Sequence, residues 1–222
     1  MEVTYLNHMG TDLSVVNAAR VSFGKQTKEW RIGKDDRLLS FLARHKHELP
    51  FAHPHVSLHF KAPIFVARQL AKHQVGFVMS EISRRYVKDD LEFYWPSKWR
   101  RGSADIKQGS LDEEVKLGHL WQHDDKKAPT HAVSDAIWAY ETMLAEGVCA
   151  EQARMVLPQN LMTEFRWTGS LLGWARVWGL RTGPGAQVET REVVEKLDEP
   201  LTKLFPAAWT VLKEFSVKKE AE

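Results

Sequence analysis

Residues 56–86 constrain the fold of this chain more than any other stretch. Val56-Ser57-Leu58-His59-Phe60-Lys61 alternates apolar and polar side chains, the period of a half-buried strand. Pro63 suits the first turn of a helix, and the spacing predicts that helix over residues 64–73, opening on the apolar run Ile64-Phe65-Val66-Ala67. Gly76 ends it, and Ser80–Tyr86 reads as an extended or loop segment. Hydrogen-bonding side chains crowd this junction, Gln69, Lys72, His73, Ser83 and Arg85 among them. Polar groups desolvated without partners cost free energy, so such a cluster needs a ligand or one another. Arginine and serine suit a phosphate, and Gln and Glu suit the edge of a base or sugar hydroxyls.

The rest of the chain reads as helix-rich. Asp12–Ala19 is expected as a short helix capped by Thr11 or Asp12, and residues 35–46 as a second, broken by Pro50 and Pro54. Ile137, Tyr140, Met143 and Leu144 form one stripe of a helix closed by Gly147. Residues 149–157 form a short helix stopped by Pro158, and 160–181 are read as continuing helically. Val188–Phe205 is the last amphipathic segment, and VKKEAE a solvated tail, over about 216–222. Residues 96–130, polar and Trp-rich, read as loops around one helix near 111–123. The expectation is an α+β fold, one helix-rich domain over 1–222 with a small mixed or antiparallel sheet.

A hydrophobic content of 43% and nine Trp argue for a folded protein. The formal charge of +2 is too near zero to imply a nucleic-acid binder, although the basic excess over residues 66–101 fits small anionic ligands. A single cysteine, Cys149, excludes an intrachain disulfide. With no signal-peptide pattern at the N-terminus and no apolar run of the ~20 residues a membrane span needs, the expected compartment is the cytoplasm. His53, His55 and His59 could share one strand face, and His119 and His123 stand four apart. Neither set has the spacing or accompanying ligands of a zinc site, so no metal is expected.

The junction resembles the signature of flavin-dependent thymidylate synthases, an Arg-His-Arg triplet followed by a Ser and read through an Asn-Glu-x-Ser-x-Arg-Tyr segment. Here that segment is Ser80-Glu81-Ile82-Ser83-Arg84-Arg85-Tyr86. Upstream, Asn17–Phe23 is similar to the family's AARVS segment, and His47, Pro50, Phe51 and His53 sit where it has a His…Pro-Phe-Glu-His run. Downstream, Gln152–Pro158 and Leu180-Arg181 match two further blocks. Separated blocks in the right order are more specific than one short motif.

The resemblance implies transfer of a methylene group from 5,10-methylenetetrahydrofolate to C5 of dUMP, with FAD supplying reducing equivalents drawn from NADPH. No enzyme nucleophile is required, which suits a structural reading of Cys149. Carried over by position, Gln69, Glu81, Ser83, Arg85, Arg154 and Arg181 would bind dUMP. Arg85 and Arg154 would take the phosphate, and Ser83 would be a hydrogen-bond donor beside the uracil. Arg181 would stabilise negative charge on the pyrimidine, so Ser83 and Arg181 are the expected catalytic residues. Ser22, His47, His53, Lys72, His73, Gln74, Ser170 and Arg176 would hold FAD. A homotetramer with sites shared between subunits is implied, with no membrane or nucleic-acid partner.

The chain also departs from the pattern. The triplet reads Lys72-His73-Gln74, and eight residues rather than seven separate it from Ser83. Ala52 replaces a glutamate, and Ser170 and Leu172 stand where an Asn and an Arg would contact flavin. Arg176, one helical turn from Leu172, offers a replacement guanidinium. These departures keep open a relative with altered flavin dependence or transferred group, such as a hydroxymethylating enzyme acting on a pyrimidine deoxynucleotide. A third reading uses the basic, aromatic stretch 84–101 to stack single-stranded nucleic acid.

Overall fold

The computed structural model describes residues 1–88, 90–104, 109–117 and 129–216. Its strands are β1 (Glu2–Met9), β2 (His55–Pro63), β3 (Phe77–Glu81) and β4 (Met162–Ser170). The helices are α1 (Asp12–Arg20), α2 (Lys34–Arg44), α3 (Ile64–Leu70), α4 (Pro129–Ala145), α5 (Ala150–Ala153), α6 (Leu171–Arg181), α7 (Val188–Glu195), α8 (Asp198–Leu204) and α9 (Pro206–Ser216). The strands form one antiparallel sheet in the order β1-β2-β4-β3.

The apolar–polar alternation of residues 56–61 is realised in β2. Val56, Leu58, Phe60 and Ala62 are buried on one face, and the intervening side chains point the other way. Leu58 stands opposite Trp167, and Phe60 opposite Phe165, their rings stacked 5.0 Å apart. α6 covers this face: Trp174 is fully buried and donates its indole N–H to the Val56 carbonyl at 3.3 Å. The Phe77 ring fills the remaining space, 4.5 Å from Trp167 and 4.8 Å from Trp174. It can do so because Gly169 and Gly173 lack side chains. A Cβ on Gly169 would lie 2.1 Å from the ring, and one on Gly173 2.8 Å.

The reading of residues 160–181 as continuous helix is corrected: Met162–Ser170 is a strand, and only Leu171–Arg181 is helical. Phe165 and Trp167 are buried, Glu164 is half-buried and Arg166 exposed, so this segment carries a period of two. Pairing with β2 on one side and β3 on the other satisfies its backbone, which decides strand over helix. β1 was not foreseen at all. The helix expected over 64–73 ends at Leu70, and the chain then turns through Gly76, whose φ of +78° requires glycine. Val188–Phe205 divides into α7 and α8. Residues 111–117 are not helical, and Glu114 bridges to Arg100. The remainder of that expected helix, with His119 and His123, lies outside the described residues, as does the tail 217–222.

Both termini are fastened by buried or partly buried carboxylates. Asp12 accepts from the Ala207 and Ala208 N–H groups at 2.8 and 2.9 Å, capping α9 rather than its own helix. Fully buried Asp35 pairs with Arg20 and accepts from the Arg31 backbone. Burial pushes its carboxyl up, but the Arg20 and Arg31 bonds outweigh that and hold it below the usual range. No helix among the described residues is long and apolar enough to cross a membrane.

Candidate functional site

Three groups of polar side chains emerge from the ends of these elements. The first surrounds a cleft of about 320 Å³ where β3 runs out. Glu81 ends the strand, Ser83 opens the following turn, and Arg154 reaches in from the short helical turn after α5. The Ile82 N–H donates to Glu164 O at 2.9 Å, which fastens the turn to β4. Ser83 accepts from the Arg85 N–H through its Oγ at 3.3 Å. Arg85 is the next residue but one: it donates to the Tyr86 hydroxyl at 3.0 Å and lies 3.7 Å from Glu151. Arg154 is exposed, and its side chain has no hydrogen bond or ion pair among the described residues.

Sequence reasoning missed Thr163. It is buried, lines the same cleft, and donates its hydroxyl to Glu81 Oε1 at 2.6 Å. Its only sequence signal is the period-two pattern of β4, which the helical reading obscured.

The second group is a closed knot at the end of α3. Arg181, the last residue of α6, donates its Nε–H to His73 Nε2 at 2.9 Å and reaches Gln69 O with Nη2 at 3.4 Å. The Gln69 amide is used at both ends, donating to Gln187 Oε1 and accepting from Thr190 Oγ1. Burial, and then the Arg181 charge, push His73 down to about 4. Neither Gln69 nor Arg181 lines the cleft at Ser83. The six residues expected to take the nucleotide thus fall into two places within one chain.

The residues expected to hold a flavin are more dispersed. Lys72 and Gln74 are exposed on the turn after α3, and His53 is exposed before β2. Backbone bonds from Ser170 to Gly76 and from Leu171 to Pro54 bring both segments to the start of α6. Ser170 itself is buried, its Oγ accepting from the Gly173 N–H at 3.1 Å as the cap of α6. Leu172 is buried among apolar neighbours. Arg176 pairs with Glu48 at 2.6 Å beside His47, whose ring stacks 5.8 Å from Phe41. Ser22 lies in the exposed turn Val21–Phe23.

A further cleft of about 480 Å³ is walled by Phe65, Tyr94, Trp95 and Trp99. Burial, and then Glu189 and Glu192, push the Tyr94 phenol up to about 12. Three cations of this stretch are paired within the chain: Lys98 with Asp112, Arg100 with Glu189 and Arg101 with Glu113. That is a poor surface for a polyanionic strand. Cys149 is exposed and immediately precedes α5, where its carbonyl accepts from the Gln152 and Ala153 N–H groups. Among the described residues no group of three His, Cys, Asp or Glu is placed to hold a metal ion.

Comparison with known proteins gives the family and the fold. The family described as thymidylate synthase complementing protein matches residues 4–207. A flavin-dependent thymidylate synthase of Thermus thermophilus is 38% identical over 96% of this chain and 75% of its own length. That of Thermotoga neapolitana is 36% identical over 94% and 88%. Among solved structures, the UMP/dUMP methylase PolB of Streptomyces cacaoi bound with 5-Br dUMP superposes with a TM-score of 0.82 at 26% identity. That match covers 97% of this chain and 96% of PolB. With its ordered motif blocks, its sheet and these relatives in agreement, the chain belongs to the flavin-dependent thymidylate synthase family.

Proposed function

We propose that this protein forms dTMP from dUMP, taking the carbon from 5,10-methylenetetrahydrofolate and the reducing equivalents from FAD and NADPH. The observation that carries the reading is the convergence of Glu81, Ser83 and Arg154 on one cleft, with Thr163 fixing the carboxylate. Arg154, without a partner among the described residues, and Arg85 suit the phosphate. Ser83 offers a hydroxyl to the uracil. Arg181 supplies fixed positive charge where negative charge develops on the pyrimidine. None of this needs a nucleophile, and exposed Cys149 has no role in it.

A flavin nucleotide presents an anionic pyrophosphate and a ring that accepts hydrogen bonds. Lys72, Gln74 and His53, whose side chains have no partner among the described residues, lie on the two segments that the Gly76 and Pro54 backbone bonds tie to the start of α6. A Cβ on Gly76 would lie 3.1 Å from Ser170 Oγ, so this turn packs directly against the cap of α6. These residues fit the group and would hold it, with His47 and Ser22 beyond them. Ser170 contributes as the cap of α6, and Arg176 only by releasing Glu48. When bound, FAD supplies the hydride that reduces the transferred carbon.

The nucleotide residues of one chain lie in two places, and a second copy would complete each site. Large exposed apolar side chains, including Trp138 (70%), Met155 (75%) and Val78 (71%), provide surfaces for a homotetramer. A cytoplasmic setting suits the substrates.

The burial of Ser170 and Leu172 and the pairing of Arg176 with Glu48 favour a second reading, the same nucleotide site with altered flavin use or transferred group. An absorbance spectrum with FAD added and dUMP titrated in separates the two. Flavin bands near full occupancy that shift with dUMP support the synthase. Binding of dUMP with no FAD uptake in excess cofactor would sink it.

A further inference from the structure

The contact between Arg181 and His73 has a fixed direction. An arginine Nε always carries its hydrogen, so His73 Nε2 at 2.9 Å must be the acceptor. The imidazole is then neutral, with its proton on Nδ1. A protonated ring could not accept this bond and would place like charges side by side. The lowering of His73 to about 4 keeps the neutral form through the physiological range. With Nη2 directed at Gln69 O, the guanidinium is held along one edge, and Nη1 has no partner among the described residues. The anchor is itself pinned, since Gln69 is bound at both ends of its amide by residues at the start of α7.

We propose that His73 is a positioning residue for Arg181: its neutral imidazole accepts the Nε–H bond and aims the remaining hydrogen-bonding edge of the arginine at the pyrimidine. Its Nε2 is therefore not a flavin contact. The reference to the pyrimidine rests on the proposed function, whereas the imidazole–guanidinium contact does not. Arg181 on α6 is the charged group that faces the ring. Lys72 precedes it with an exposed ammonium, and Trp167 on β4, 6.5 Å away between centroids, brings no charge.

The first test is the imidazole ¹⁵N spectrum of the wild-type chain from about pH 5 to about pH 8. The neutral tautomer with its proton on Nδ1 should persist across that range. Arg181→Met should raise the titration of His73, while burial still holds it below the ordinary histidine value. A wild-type ring that titrates in the ordinary range, or carries its proton on Nε2, overturns the proposal. The second test compares His73→Gln, which offers a carbonyl oxygen at similar reach, with His73→Leu, which offers none. Direct titration with dUMP should weaken roughly tenfold in the leucine variant and recover to within about twofold in the glutamine variant. FAD occupancy, read by visible absorbance, should be unchanged in both. Equal loss in the two variants, or lost FAD with dUMP affinity kept, overturns it. The wild-type spectrum decides the matter even if His73→Leu fails to fold. If the wild-type chain does not bind dUMP, the proposed function fails, and the tautomer alone decides the role of His73.

Discussion

The cleft at the end of β3 and the knot at the end of α3 treat their polar groups in opposite ways. In the cleft, the Arg154 side chain has no partner among the described residues, and Thr163 steers the Glu81 carboxylate. In the knot, Gln69, His73 and Arg181 are bonded to one another or to α7. The cleft is built to receive charge, because a ligand phosphate there replaces only water. The knot is built to give direction, because its bonds fix where one guanidinium edge points before any ligand arrives. An account of the site that counts arginines would treat Arg154 and Arg181 alike. Their partners say otherwise.

Breaking the knot at its centre should have the largest effect. Arg181→Lys keeps a charge but loses both the Nε–H and the planar edge. Turnover should fall roughly 100- to 1000-fold with flavin absorbance unchanged. Steady-state rates within about tenfold of wild type would show that the edge is not used. Breaking the cleft should act on binding instead. Arg154→Ala should weaken dUMP roughly 10- to 100-fold by calorimetry, and deoxyuridine far less. Equal losses for nucleotide and nucleoside would remove Arg154 from the phosphate.

Thr163→Val is gentler, deleting one donor to Glu81 at a cost of about 1 kcal/mol, or about fivefold in dUMP affinity. An unchanged dissociation constant would mean that Glu81 needs no steering. The knot should also leave a mark on acid stability. His73 binds its proton near 6.5 when unfolded but only near 4 when folded, so the unfolded state takes up protons first. Stability should therefore fall as pH drops through that window, and His73→Gln should flatten the slope in melting curves. A slope of the same steepness in both proteins would place its origin elsewhere. The smallest effect belongs to Arg176→Gln. Its pair with Glu48 is about half exposed on both sides, so the stability change should stay below about 1 kcal/mol, and FAD affinity should hardly move. A large loss of FAD in a titration would restore Arg176 as a cofactor contact.

What the sequence revealed depended on contrast between neighbouring residues. β2 was legible because buried and half-buried side chains alternate along it. β1 was not, because an edge strand with residues exposed along nearly its whole length shows little alternation. β4 carries the right period, but an apolar helix follows it without a break, and its two strand neighbours come from distant sequence. The cleft was legible in the motif that places Glu81 beside Ser83. The commitment of Gln69 was not, since its partners lie 118 and 121 residues away. No local pattern announces such a bond. Only the fold brings α3 and α7 together.

The cap that Asp12 places on α9 carries a consequence for the order in which the molecule is finished. Its partners, Ala207 and Ala208, lie 195 and 196 residues downstream. Closing a loop of that length is entropically costly, and contacts of such separation slow folding. During synthesis, the first helix can form early but cannot complete its bonds until the last one has left the ribosome. The carboxylate meanwhile stays hydrated, and its desolvation is postponed to the moment α9 docks. At its N-terminus, the order of synthesis and the order of completion therefore run in opposite directions.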